Sequence, residues 1–350
     1  MDQDDTMHMK LKFTIQKIYS YIFAVLFFGM LLAPVFKSGW TFQTFDTSFN
    51  WHKELVRLYN STRIMIKDSV FPGVLVGKNG WLFYTGNNAI SDYQGLGLAK
   101  QKDLQQLQQS LDKINVDLQQ QGITLIVVIA PNKESIYPQF MPVEIHVFRK
   151  KSRIDQFVDY MQLYGETNII DLRPVMQDAS KSQQIYFKTD THWNQYGAYL
   201  AYREIFSSLS KVYPALQAYQ LSDYEITLGN KSTRDLVNIL GISNIEEADW
   251  NFLPKFFSDV KGINIPLGNR NVQLTFTSDQ TLPSIVIFHD SFFLSLSHFF
   301  EPHFNKMVLV PYPNEEVWNL KWIDQLEPDI VIIELAERYL WELPELLSTY

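Results

Sequence analysis

At 350 residues the chain is long enough for one large domain, or for one domain with an appendage. Apolar residues make up 46% and charged residues 19%, which admits a sizeable buried core and excludes wholesale disorder. The net charge of −8 leaves no electrostatic footprint for nucleic acid, and the absence of cysteine excludes disulfides, thiolate nucleophiles and thiolate metal sites.

The chain opens with an acidic segment followed by Lys10, Lys12 and Lys17. Residues 18–36 (IYSYIFAVLFFGMLLAPVF) then run without a charge. As a helix this run is roughly 28 Å long, about the thickness of a hydrocarbon core. The lysines in front of it place residues 1–17 as a cytoplasmic tail by the positive-inside rule. Ala33-Pro34-Val35 is a poor cleavage site. An uncleaved transmembrane anchor at 18–36 is therefore expected, with the remainder on the far side. Residues 37–73 mix Trp, Phe and polar groups and read as a juxtamembrane collar. The many aromatic rings, 25 Phe, 18 Tyr and 8 Trp, suit either a heavily aromatic core or surfaces that stack on sugars or meet a membrane.

From residue 74 onward the pattern is that of an α/β domain. Val74 to Tyr84 reads as a hairpin turning at Lys78-Asn79-Gly80, because Asn-Gly suits the positive φ such turns need. Over 101–121 the apolar residues Leu104, Leu107, Leu111, Ile114 and Leu118 fall on one face of a helix, which Gly122 ends. The apolar run 123–130 follows and predicts a strand buried on both faces, as in a parallel sheet covered by helices. A helix over 152–164, a strand over 168–170 and a helix over 195–212 continue the alternation. Strands at 284–288, 307–310 and 329–333 complete it, so a three-layer α/β/α fold with a mostly parallel sheet is expected. The interval of about 222–282 is polar and glycine-bearing, breaks the rhythm, and reads as an insertion or partly β subdomain.

Two stretches carry chemistry. Thr189-Asp190-Thr191-His192-Trp193-Asn194 sets a carboxylate two residues before an imidazole, ahead of an amphipathic helix. Phe288-His289-Asp290-Ser291 sets a serine just past the end of a buried strand, where open α/β sheets gather ligands. A serine needs a base to take its proton, and that base needs a partner to hold its tautomer. His192 and Asp190 suit those roles. A helix starting near Ser291 would offer its backbone N–H to an oxyanion. Asp190, His192, His289 and Asp290 could instead be metal ligands. Pro131-Asn132-Lys133, at the end of the most buried strand, suits an oxyanion donor or substrate contact, with Asn132 at the substrate, or simply a loop. Arg338, after the last strand, suits substrate binding or a surface ion pair with Glu337.

The succession GKNGWLFY, APNKESIYP, TDTHWNQYGAYLAY, FHDSFF and PDIVIIELAERYL resembles the alginate O-acetyltransferases of the AlgJ/AlgX type, within the SGNH hydrolase-like superfamily. The resemblance runs from about residue 74 to the C-terminus, with the serine block after the histidine block, as in a circular permutation. It implies Ser291 as nucleophile, His192 as base and Asp190 as orienting acid, with His289 standing where the superfamily often has Gly. It implies a polysaccharide acceptor and a multi-spanning acyltransferase of the AlgI type as acetyl supplier. It also implies a single pass through a bacterial inner membrane, with the catalytic domain in the periplasm. Neither a cofactor nor a metal is needed. The chain ends soon after the core, which is closer to the anchored AlgJ type than to members with a carbohydrate-binding module. A carbohydrate acetylesterase using the same residues, and a non-catalytic scaffold of an export complex, are the alternatives.

Overall fold

The computed structural model describes residues 52–256, 259–267, 270–311 and 321–344, with five more between 21 and 29. Residues 1–17, most of the expected anchor at 18–36, and the collar up to residue 51 lie outside the described residues. Among those described, no helix is long and apolar enough to cross a membrane. The chain divides into two compact units, Met1–Arg63 and Ile64–Tyr350, and the second holds every candidate site residue.

That unit begins with a small antiparallel sheet of β1 (Val70–Phe71), β2 (Val74–Val76) and β3 (Leu82–Tyr84). Asn79 (φ 56°) and Gly80 (φ 80°) make the turn between β2 and β3, which is why Asn-Gly stands there. β1 lies upstream of residue 74 and pairs with β2 all the same.

The seven-stranded central sheet has the order β5-β4-β12-β10-β11-β9-β8. Its parallel strands are β4 (Thr124–Ala130), β5 (Asn168–Asp171), β10 (Ser284–His289), β11 (Lys306–Pro311) and β12 (Ile330–Ala336). Their side chains alternate between two cores. Ile126, Val128, Ile285, Ile287 and Ile332 face one, while Val127, Ile129, Val286, Phe288 and Ile333 face the other. A strand buried on both faces has no polar positions to spare, which is why these segments read as unbroken apolar runs. The helix Gln101–Gln120 covers one face with Leu104, Leu107, Leu111, Ile114 and Leu118. Each such side chain contributes about 1.5–3 kcal/mol on burial. The aromatic helix Gln195–Leu209 covers the other face with Tyr199, Tyr202, Ile205 and Phe206. The chain thus has a three-layer α/β/α fold with a mostly parallel central sheet.

The 222–282 interval is not one separate subdomain. β6 (Tyr224–Ser232) and β7 (Glu247–Pro254) form a two-stranded ribbon with the helix Asp235–Leu240 between them. β8 (Lys261–Leu267) and β9 (Arg270–Phe276) instead extend the central sheet, β9 running antiparallel to β11. Leu236, Val237 and Leu240 pack on Phe71, Val74 and Leu82, so the small sheet and the insertion share a core.

Candidate active site

Ser291 lies two residues past the end of β10 and is exposed. No full helix starts there, contrary to the expectation from sequence. A turn leads into a 3-10 segment, Phe293–Ser295, and then into the short helix Ser297–Phe300. Asp290 ties down this turn. Its carboxylate accepts the Phe292 N–H at 2.8 Å and the Ala336 N–H at 2.7 Å, which ties the chain after β10 to the end of β12. A carboxylate that accepts the N–H two residues on closes a local turn. Phe292 and Phe293 are fully buried and pin the segment from below, leaving Ser291 outward between anchored neighbours.

Asp190 and His192 sit in a loop pinched shut by the bridge between Tyr186 and Trp193. Asn194 caps the following helix, accepting the N–H groups of Tyr196 and Gly197 at 3.1 Å, and donates back to the Gln184 carbonyl at 2.7 Å. Gly197 lets the helix approach so closely that a β-carbon there would lie 2.4 Å from the Ile185 carbonyl oxygen. Trp193 donates to Ser295 Oγ at 2.6 Å and meets the Phe292 ring edge-on at 4.9 Å. The Trp and Asn after the histidine thus dock the histidine loop onto the serine segment.

The result is a hydrogen-bonded line. His192 Nε2 lies 2.7 Å from Ser291 Oγ, and Nδ1 lies 2.7 Å from Asp190 Oδ1, which also accepts the His192 N–H at 3.1 Å. Burial alone would raise the Asp190 carboxyl, but the hydrogen bonds and charge of His192, with Lys133 behind, outweigh it and hold the group at about 2. A carboxylate on Nδ1 fixes the tautomer whose Nε2 lone pair faces the serine hydroxyl.

Asn132 and Arg338 are not in this line. Asn132 Oδ1 accepts from Arg338 Nη1 at 3.0 Å, its backbone N–H donates to Glu337 Oε2 at 3.0 Å, and all three residues are buried. No surface ion pair forms between Glu337 and Arg338. Glu337 instead takes the Asn132 N–H and the Ser135 hydroxyl, while the Arg338 guanidinium lies over the rings of Phe292 and Tyr84. A polar chain between two apolar strands reads as surface when its partners lie in other loops.

The mixed ligand set of Asp190, His192, His289 and Asp290 does not assemble. His289 is buried, which pushes its pKa down, and its Nδ1 is bonded to the Asp290 carbonyl at 2.6 Å. Among the described residues Asp190, His192 and Asp235 do converge, with ligand atoms within 4.8 Å of one another. Both ring nitrogens of His192 are already engaged, so a cation there would displace the bond to Asp190 or to Ser291.

Three side chains hold this loop from outside: Lys133, expected at an oxyanion or substrate, and Asp235 and Glu247, for which the sequence suggests no role. Lys133, fully buried, donates to the carbonyls of Phe187, Lys188 and Asp190. Glu247 accepts the N–H groups of Lys188 and Thr189, and Asp235 accepts that of Thr191. Nothing in their local sequence marks them, since each acts at a distance of 44 to 59 residues along the chain. Beside Ser291 a groove of about 360 Å³ is lined by Arg270, Asn271, Gln273, Leu294 and Tyr339. A larger cavity of about 530 Å³ lies along the β5 edge, lined by residues such as Asn168, Asp171 and Glu204 and by none of Asp190, His192 or Ser291.

The family profile described as the SGNH hydrolase-like domain of acetyltransferase AlgX matches residues 74–257, more than half of the chain. A probable alginate O-acetylase AlgJ of Pseudomonas putida is 30% identical over 146 residues, covering 40% of this chain and 34% of that protein. The chain spans less than half the length of each of the other curated relatives it matches. Among solved structures, PatB1 of Bacillus cereus superposes with a TM-score of 0.59 at 14% identity, over 76% of this chain and 96% of that one. The O-acetyltransferase domain of P. putida AlgJ superposes with a TM-score of 0.51 at 18% identity, over 79% and 99%. These two share the fold. On the profile match, the chain belongs to the AlgJ/AlgX family of SGNH hydrolase-like proteins.

Proposed function

We propose that the protein is an O-acetyltransferase working through an acetyl-serine intermediate, with Ser291 as nucleophile, His192 as base and Asp190 as the acid that orients it. The observation that carries this reading is the unbroken hydrogen-bonded line from Asp190 through His192 to Ser291. His192 Nε2 takes the hydroxyl proton as Ser291 Oγ attacks the acetyl carbonyl of a donor ester. The tetrahedral oxyanion collapses, the donor oxygen leaves with the proton from His192, and acetyl-Ser291 remains. An acceptor hydroxyl then gives its proton to His192, attacks the acetyl carbon and leaves as the new ester, while the proton returns to Ser291. The Ser291 backbone N–H, which engages no acceptor among the described residues, supplies one donor to both oxyanions.

The acceptor is a polysaccharide hydroxyl, entering by the groove beside Ser291 whose polar wall, Arg270, Asn271 and Gln273, belongs to β9. Alginate is the first polymer to test, since these relatives are named probable alginate O-acetylases. The uncharged run at 18–36 supports a membrane anchor with the catalytic unit in the periplasm, supplied with acetyl groups by a multi-spanning acyltransferase of the AlgI type. Ser291→Ala in cells should abolish acetylation of the exopolysaccharide, read by mass spectrometry of the polymer. Unchanged acetylation ends the proposal. Release of free acetate from an activated ester, with none on an added oligosaccharide, would make the enzyme an esterase.

A further inference from the structure

The loop of residues 187–192 carries both the acid and the base, yet much of its backbone is held by side chains from elsewhere. The carbonyls of Phe187, Lys188 and Asp190 turn to the Lys133 ammonium. The N–H groups of Lys188 and Thr189 turn to the Glu247 carboxylate, which also takes the Thr189 hydroxyl. The Thr191 N–H donates to Asp235 Oδ1 at 2.7 Å, and Asp235 Oδ2 stands 4.0 Å from His192 Nδ1. A cation thus gathers the carbonyl ends and two anions gather the N–H ends. Lys133 projects from beneath, against the rings of Trp81 and Phe83 at 5.8 and 5.6 Å. Asp235 and Glu247 both come from the 222–282 insertion, at the start of its helix and of β7. Arg234 steadies the arrangement, donating to the Glu247 carbonyl at 2.9 Å and lying 3.9 Å from the Phe187 ring centre.

We propose that Lys133, Asp235 and Glu247 are positioning residues, an ionic clamp by which the insertion holds Asp190 against His192 and sets the basicity of that histidine. The inference rests on the reading of His192 as base. None of the three contacts Ser291 in the bonds that define the clamp. The groups facing Lys133 are Asp235, Asp190, Glu247 and Glu134, and those facing His192 Nδ1 are Asp190 and Asp235. Two opposite influences on the imidazolium follow. Asp235 adds a second negative charge near Nδ1 and favours the protonated ring. Lys133 draws on the Asp190 charge and disfavours it. Burial lowers Lys133 to about 8, so its ammonium, and the hold on the loop, weaken above that pH.

The test is the His192 ring titration, read by NMR in full-length protein with ¹⁵N-labelled histidine, beside the pH profile of Ser291 labelling by a sulfonyl fluoride. Asp235→Asn keeps an acceptor for the Thr191 N–H and removes the charge. It should move the His192 titration and the acid limb of labelling to lower pH, and slow labelling about three- to tenfold. Lys133→Met should move both to higher pH and slow labelling about 10- to 100-fold as the loop loosens. Shifts of opposite sign are a signature that a merely structural role would not produce. If Lys133→Met does not fold, Asp235→Asn decides alone. A His192 titration in Asp235→Asn identical to wild type, with labelling within twofold, overturns the clamp. A wild-type Ser291 that never labels overturns the acyl-enzyme reading instead, and the titration still decides the clamp.

Discussion

Two polar networks meet at the carboxyl ends of the central strands, and they differ in how far water and ligand can reach them. In one, Asp190, His192 and Ser291 stand in line, the His192 side chain 26% exposed and the Asp190 side chain 14%. In the other, Asn132 bonds to both Glu337 and Arg338, with Arg338 only 5% exposed. The first holds a neutral hydroxyl and an imidazole that can exchange a proton. The second holds a permanent cation stacked on aromatic rings, which has no proton to give. Yet they touch, because Arg338 lies over Phe292, the residue that follows the nucleophile, and over Tyr84 of the small sheet. The buried network therefore acts as the floor on which the exposed one stands. Chemistry and support are separated by depth within about one side-chain layer.

The largest effect that would sharpen this division is on rate. Asp190→Asn keeps the size of the side chain but lets the amide donate, which favours the wrong imidazole tautomer. The expected loss in turnover is about 10³- to 10⁴-fold. Its effect on stability is smaller and has a definite pH dependence. The folded carboxyl at about 2 lies below its ordinary value of 3.8. Its stabilisation is therefore present above pH 3.8 and lost as pH falls through 2, and amounts to about 2 kcal/mol. Thermal melts at pH 7 and pH 2.5 on both proteins, beside steady-state kinetics, separate the two effects.

Arg338→Met asks the opposite question of the floor. Removing the guanidinium leaves Asn132 Oδ1 without its donor and takes one cation away from the buried carboxyls of Glu134 and Asp290. Breaking one side of a buried charged set costs about 3–5 kcal/mol. Denaturant unfolding should show that loss, with Ser291 labelling in the folded fraction within about tenfold of wild type. An unchanged midpoint together with a raised KM for oligosaccharide would return Arg338 to the substrate site and break the comparison.

Much of this arrangement was legible in the residues. β4, β10 and β12 declared themselves because both faces of each are buried, and Asp190, His192 and Ser291 because their types suit one reaction at a strand end. What stayed hidden has a common physical form. Lys133, Asp235 and Glu247 act on backbone groups of a distant loop, and a lone charged residue carries no trace in sequence of which loop it will meet. Asp290, a possible metal ligand by residue type, has a hidden role for the related reason that its carboxylate serves two backbone N–H groups, one of them Ala336 on the neighbouring strand. β8 and β9 were unreadable as sheet extension because their residues are mostly exposed or half-buried at the sheet's edge, without the apolar run that marks its centre. The anchor expected at 18–36 lies mostly outside the described residues.

The smallest expected effect tests whether the floor tolerates charge at all. Glu134 follows Lys133 and is fully buried, and burial raises its pKa to about 7 from 4.5, with Glu337 adding to the rise and Arg338 and Lys133 opposing it. One of its oxygens, Oε1, has no hydrogen-bond partner among the described residues. The sign follows from proton counting. Between pH 4.5 and 7 the folded state binds the proton more readily than the unfolded chain, so stability is greatest below 4.5 and declines as pH rises through 7. The full difference is about 3 kcal/mol and is complete above pH 7. Glu134→Gln removes the ionisation while keeping size and hydrogen-bonding capacity. Its melting temperature should therefore vary less than that of wild type between pH 5 and 8, and should exceed it at pH 8 by a few degrees. Labelling of Ser291 should follow wild type, because Glu134 belongs to the buried set. A variant that melts like wild type at both pH values would mean that the floor already holds Glu134 as a paired carboxylate. The contrast between an ionised surface line and a floor that resists new charge would then fall on Arg338 alone.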